Sequence, residues 1–209
     1  APFTPPTVAQ FEAALAADSA ITHVMVVHCE TSTGIINPIA EIAALCRRLG
    51  KGLFMDTVAS FGAFEIDARR IPFDALVISS NKCLQGVPGL GWAIVHKQVL
   101  EAAKGNCRSL SLDLWDQNQH LERTNAFRFT PPVQVLCAFA EALREHEAQG
   151  GVKRKALVRS RNWRRLVDGM RQMGFRTVVP DEYASPIVAT FHNPVDPAFS
   201  FDKLYKGMK

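Results

Sequence analysis

The sequence predicts an α/β protein: an αβα sandwich on a mainly parallel sheet, followed by part of a smaller α+β unit. Three observations carry that prediction. Short apolar runs alternate with segments of helical periodicity. Strand, helix and strand recur within about 35 residues, the length of one βαβ unit, which forces parallel neighbours through a right-handed crossover. The apolar runs also end on polar residues, Asp56 after Gly52-Leu53-Phe54-Met55 and Ser79-Ser80-Asn81-Lys82 after Val77-Ile78, so chemistry gathers at the carboxyl ends of strands.

Thr7 caps a first helix whose Val8, Phe11, Leu15 and Ala16 share one face. Ile21 to Val27 is a buried strand. A polar elbow, His28 to Gly34, leads to Asn37-Pro38, after which Ile39, Ile42, Leu45, Cys46 and Leu49 recur at helical spacing until Gly50. Leu53 to Met55 is the next strand, which puts Thr31 and Asp56 on one edge. Ser60 to Asp74 is an irregular excursion with Arg69-Arg70 and Ile71-Pro72, and Ala75 to Ile78 is the strand that delivers Lys82. Gly91 to Val95 forms one more strand and Gln98 to Ala103 a short helix.

The segment from Gly105 to Phe129 is polar and aperiodic, and is expected to be a long loop at a surface or subunit contact. Thr130-Pro131-Pro132 starts a helix with Val135, Leu136, Phe139 and Leu143 on one face, ending near Gly150-Gly151. A long basic helix, Val152 to Met173, turns Leu157, Trp163, Leu166, Val167 and Met170 inward and leaves Lys153, Arg154, Lys155, Arg159, Arg161, Arg164 and Arg165 solvated. Phe175 to Val179 and Ile187 to Phe191 read as strands of a smaller domain, and Phe201 to Met208 as a helix. The domain boundaries are therefore 1–150 and 151–209.

Composition narrows the function classes. With 209 residues, 47% hydrophobic and 21% charged, the chain buries a substantial core. A net charge of +4 does not by itself imply a nucleic-acid partner, and a helix with one charged face is usually a solvated helix. Five scattered cysteines, at 29, 46, 83, 107 and 137, form no CxxC pair and suit reduced thiols in the cytoplasm better than a disulfide framework or a metal site. No apolar run reaches the length of a membrane span. The opening Ala1-Pro2-Phe3-Thr4-Pro5-Pro6 lacks the pattern of a signal peptide and reads as a loop exposed by truncation or processing.

Lys82 and Asp56 are the strongest candidates for chemistry. A lysine in the turn after a buried strand is expected at the mouth of the core, where desolvation makes it a usable amine nucleophile. A carboxylate at the end of a neighbouring strand supplies the acid that a pyridoxal phosphate site needs for its pyridinium nitrogen. The run Gly86-x-x-Gly89-x-Gly91 is followed by strand-like Trp92-Ala93-Ile94-Val95, so it serves a tight turn rather than a dinucleotide fingerprint. His28, at a strand end, is either an acid–base group or a structural histidine.

The segments His28-Cys29-Glu30-Thr31-Ser32-Thr33-Gly34, Asp56-Thr57-Val58-Ala59-Ser60-Phe61-Gly62 and Ser79-Ser80-Asn81-Lys82-Cys83-Leu84-Gln85-Gly86-Val87-Pro88-Gly89 resemble, in order and spacing, those of class V aminotransferases. The resemblance covers nearly the whole chain. It implies the large domain of a fold type I enzyme, with pyridoxal 5'-phosphate as cofactor. It implies that Lys82 binds that cofactor covalently and moves the substrate proton, that Asp56 pairs with the ring nitrogen, and that Thr31 bonds the phenolic oxygen. By the same resemblance Val58 lies on a ring face, Ser80 and Asn81 lie near the phosphate, and Thr130 reaches the cofactor of a second copy in a homodimer.

The reaction so implied moves an amino group from 2-aminoethylphosphonate to pyruvate, with an alanine- or serine-to-glyoxylate transfer as the alternative. A catalytically silent, self-associating fragment is the alternative of another class. Members of the family begin upstream, with a Gly-Ser-Gly-Thr-type loop on the phosphate, and hold the substrate's acid group with an arginine beyond the position of Lys209. Weakened cofactor binding by these 209 residues alone is therefore expected.

Overall fold

A computed structural model describes residues 3–208; Ala1 and Pro2 of the expected opening loop lie outside the described residues. The chain forms helix α1 (Val8–Ala17), strand β1 (His23–Val27), α2 (Ile39–Arg48), β2 (Gly52–Asp56), β3 (Ala75–Ser79), β4 (Gly91–Val95), α3 (Lys97–Ala102), α4 (Leu114–Thr124), α5 (Val133–Ala148), α6 (Gly151–Gln172) and α7 (Phe201–Gly207). The strands are ordered β1-β2-β3-β4, with β1, β2 and β3 parallel.

Local signals start and stop the helices. Thr7 caps α1 in a reciprocal capping box with Gln10. In α2, Ile39, Ile42, Ala43 and Cys46 recur at 3.6-residue spacing and are all buried. Gly50, at φ +63, lets the chain leave that helix in a conformation that a Cβ would oppose. α1, α2 and α5 lie on one face of the sheet, where Leu15, Ile42, Leu45 and Phe139 meet Val24, Val26, Leu53, Met55, Leu76 and Ile78. Each large side chain buried there contributes about 1.5–3 kcal/mol of transfer free energy.

The other face is open in this chain. Strand alternation places Met25, Phe54 and Val77 on it, at 71%, 36% and 39% exposure, and the register aligns Met25 with Phe54 and Val27 with Asp56 with Val77. Asp56 therefore projects from the open face at the carboxyl edge of the sheet.

Gly91–Val95 is the further strand the sequence predicts; it runs antiparallel to β3, pairing Ser79 with Gly91 and Ala75 with Val95, in a sheet that is otherwise parallel. The link between them holds no helix, and without a crossover the chain can only reverse. The segment 105–129 is not a continuous loop: Asp113 accepts the N–H of Asp116 to start α4, and Asn125, left-handed at φ +53, ends it. Exposure of Leu114 and Leu121 explains why its periodicity was weak.

The expected strands 175–179 and 187–191 reduce to a single antiparallel bridge, Thr177 to Phe191, with Val178 N–H donating to Thr190 O at 2.9 Å. Their remaining groups are spent elsewhere. Trp163 Nε1 donates to Val188 O at 3.1 Å, Thr190 Oγ1 to Thr33 O at 2.7 Å, and Ser185 N–H to Gly34 O at 2.7 Å. This last stretch thus props the elbow after β1 instead of building a second sheet.

Candidate active site

The polar elbow after β1 folds as a tight reversal. Cys29 and Ile36 form an antiparallel bridge, Glu30 N–H donates to Ile35 O, and Gly34 takes φ +85. A side chain at Gly34 would lie 2.8 Å from the Val188 carbonyl oxygen, so the elbow and the stretch behind it require glycine there. Thr31 sits exposed at the tip of this turn.

After β2 the chain turns at once. Asp56 Oδ1 accepts the N–H of Val58 at 2.9 Å, an Asx turn that fixes the carboxylate and brings Val58, half-buried, next to it. Thr57 is fully buried and donates its backbone N–H and its hydroxyl to Val77 O, at 3.0 and 2.8 Å. Among the described residues the second carboxylate oxygen of Asp56 accepts no hydrogen bond and the group has no cationic partner.

The turn after β3 is closed by Gly86 N–H to Ser80 O at 2.8 Å and by Gln85 N–H to Lys82 O at 3.0 Å. A Cβ on Gly86 would stand 2.8 Å from that same Ser80 oxygen, so this glycine serves the turn itself. Lys82 is exposed, not at the buried mouth the sequence suggested, because Cys83 and Leu84 are the residues of this turn that enter the core. Its amine has no hydrogen-bonding or ionic partner among the described residues, which leaves it available.

Ser80 faces the other way: it is fully buried and its hydroxyl donates to Val87 O at 2.7 Å. It supports the turn, while Asn81 stays exposed and accepts from Ser79 Oγ at 2.5 Å. Thr31, Asp56, Val58, Asn81 and Lys82 therefore follow the carboxyl ends of three adjacent parallel strands. Thr130 is exposed and lies just before α5, outside this set of strand-end turns. A hollow of about 440 Å³ lies between β4, α4 and the start of α5, lined by Trp92, Leu121, Phe129, Pro131 and Leu136; it contains none of the five.

Beneath the site runs a buried polar support. His28, 5% exposed, donates its backbone N–H to Asp56 O at 2.8 Å, and its Nδ1 lies 2.8 Å from Ser60 Oγ. Ser60 Oγ in turn donates to Thr57 O at 3.4 Å, which leaves it to accept from Nδ1–H. Phe64 meets the imidazole edge-on. Burial pushes the His28 pKa from 6.5 to about 4, which favours the neutral imidazole bonded to Ser60.

The folded state keeps His28 neutral down to about pH 4, whereas the unfolded chain takes up a proton as pH falls through 6.5. Acid therefore favours unfolding, and from pH 7 to 5 this one group is expected to remove roughly 2 kcal/mol of stability. Urea unfolding at both pH values checks this: His28→Asn should flatten the difference by about that amount, and an unchanged pH dependence would exclude the buried neutral histidine as its source.

Sequence reading missed one further support. His146, on α5, lies with Nε2 2.8 Å from Gly62 O and so ties down the loop that begins at Asp56. No spacing pattern announces a contact between residues so far apart in the chain.

The family described as aminotransferase class-V matches residues 4–203. A 2-aminoethylphosphonate–pyruvate transaminase from Cupriavidus necator is 50% identical over 98% of this chain and 54% of its own length. One from Pseudomonas aeruginosa is 46% identical over 98% and 55%. The chain thus spans about half the length of the curated relatives it matches.

Among solved structures, pyridoxamine–pyruvate aminotransferase from Mesorhizobium loti superposes with a TM-score of 0.85 at 28% identity, over 92% of this chain and 50% of that one. The alanine–glyoxylate aminotransferase from Nostoc sp. superposes with a TM-score of 0.86 at 22% identity, over 99% and 54%, a likeness of fold alone.

Proposed function

Because the chain belongs to the class V aminotransferase family, we propose that it is the central part of a pyridoxal-phosphate enzyme that moves the amino group of 2-aminoethylphosphonate to pyruvate, yielding phosphonoacetaldehyde and alanine. One observation carries this reading: an unpartnered amine, Lys82, and a carboxylate with an unused oxygen, Asp56, follow adjacent parallel strands on one edge of the sheet. The relatives' names supply the choice of substrate.

The residues present fit pyridoxal phosphate. When bound, it supplies an electron sink next to the substrate's amino-bearing carbon. Lys82 would hold it through Nζ and would take and return the substrate proton. Asp56, its carboxylate kept in place by the Val58 N–H, would hold a proton on the ring nitrogen by charge. Val58 would offer an apolar surface to the ring, Thr31 a hydroxyl and Asn81 an amide to its polar groups. Ser80 contributes through the turn it stabilises.

An amino-donor screen on the full-length protein tests the assignment. 2-Aminoethylphosphonate with pyruvate should exceed alanine or serine with glyoxylate by at least about tenfold in kcat/KM. The reverse order would replace the proposed reaction with the glyoxylate alternative. Absence of turnover with every pair would leave a silent, self-associating chain as the reading.

The same reading includes a cytoplasmic homodimer in which Thr130 reaches a second copy's cofactor, and a division into a cofactor-binding part, 1–150, and part of a smaller domain, 151–209. The exposure of Met25, Leu110, Leu112, Phe127 and Phe129 supports association. Light scattering on the 209-residue chain at micromolar concentration should give a mass above the monomer's; a clean monomer would contradict the dimer and the role of Thr130.

A further inference from the structure

The basic helix α6 was expected to carry its charges in solvent, yet two of them are directed at the turn that bears Lys82. Arg159 Nη2 donates to Cys83 O at 3.3 Å, and Lys155 Nζ donates to Gln85 Oε1 at 2.6 Å and to Gln149 Oε1 at 2.5 Å. Both contacts fall within three residues after Lys82, on a turn that needs holding. Gln85 has φ +62, a left-handed conformation that a residue with a Cβ keeps only where its surroundings impose it.

Arg159 is not a casual surface contact. Its Nε is buried without a hydrogen-bond partner among the described residues, so the guanidinium has surrendered hydration to reach the Cys83 carbonyl. The same turn is tied on its other side to the loop that follows Asp56. Cys83 Sγ donates to Ala59 O at 3.2 Å, and Leu84 lies so close to Gly62 that a Cβ there would meet its Cδ2 at 2.7 Å. α5 completes the arrangement through His146 and Gly62 O. The lysine turn and the aspartate loop thus form one packed unit, gripped from behind by α5 and α6.

We propose that α6 is the positioning element of the lysine turn: Arg159, assisted by Lys155, holds Cys83 and Gln85 so that the Lys82 amine is presented on the same edge as Asp56. This rests on the reading of Lys82 as the point of cofactor attachment. Arg159 and Lys155 touch neither substrate nor cofactor and act only through the turn.

The test uses the full-length protein and its Arg159→Met, Arg159→Lys, Lys155→Met and Arg159→Met/Lys155→Met variants. Hydrogen exchange without cofactor reads the turn directly. Arg159→Met should raise amide exchange across residues 80–87 on the order of tenfold while exchange in α1 and α2 stays unchanged. Arg159→Lys should restore part of the protection, and Lys155→Met, at a more exposed contact, should have the smaller effect.

Borohydride trapping of pyridoxal phosphate on Lys82, followed by peptide mass, supplies the second readout and should slow in Arg159→Met. Unchanged exchange across 80–87 in the double variant would overturn the proposal, and so would faster exchange with an unaltered trapping rate. If the unmodified protein takes no label at Lys82, the proposed function fails, and the grip of α6 on the turn is then decided by exchange alone.

Discussion

If the proposed function holds, replacing Lys82 with alanine in the full-length protein is expected to lower transamination by at least about a thousandfold, because the variant would lose both the attaching amine and the group proposed to shuttle the substrate proton. The fold should survive. Lys82 is exposed, its side chain has no partner among the described residues, and the bonds that close its turn run through the backbone of Ser80, Lys82, Gln85 and Gly86. Thermal unfolding should therefore match that of the parent within a degree or so. Steady-state turnover and the unfolding midpoint, measured on the same preparation, separate the two effects. Turnover close to the parent's would remove Lys82 from the site.

Asp56→Asn should leave the local structure intact and slow the reaction by roughly 10²–10⁴-fold. Asparagine Oδ1 can still accept the Val58 N–H that defines the turn, so the backbone after β2 has no reason to move. What disappears is the negative charge that, in the proposed function, would keep a proton on the ring nitrogen and so strengthen the pull on electrons at the substrate carbon. Cofactor capture on Lys82, followed by borohydride trapping, should persist, while single-turnover proton abstraction falls. A rate equal to the parent's would make Asp56 an ordinary strand-end carboxylate.

The sequence by itself determined the elements whose signals are local. Ile39, Ile42, Leu45 and Cys46 specify one buried helix face through their spacing alone, and short apolar runs ending on polar residues mark β2 and β3. The placement of Asp56 and Lys82 on one edge was legible for the same reason: each follows an apolar run, and parallel strands gather their carboxyl ends on one edge whatever the details of packing. The polar face of α4 hid a helix that depends on Asp113 and Asn125 at its ends, since no buried stripe announces it.

Only the tertiary structure decided which way side chains turn and what lies behind them. Ser80 and Asn81 are neighbours in one motif, yet the first is buried on Val87 O and the second faces solvent, a difference set by how the turn packs on α5. β4 reverses because its link holds no helix. His28 is held toward its neutral form by burial, with Ser60 and Phe64 against its ring, and Arg159 and His146 reach Cys83 and Gly62 across 76 and 84 residues of chain. Such contacts leave no periodic trace, because they follow from the docking of whole helices on a sheet and not from the spacing of residues within any one element.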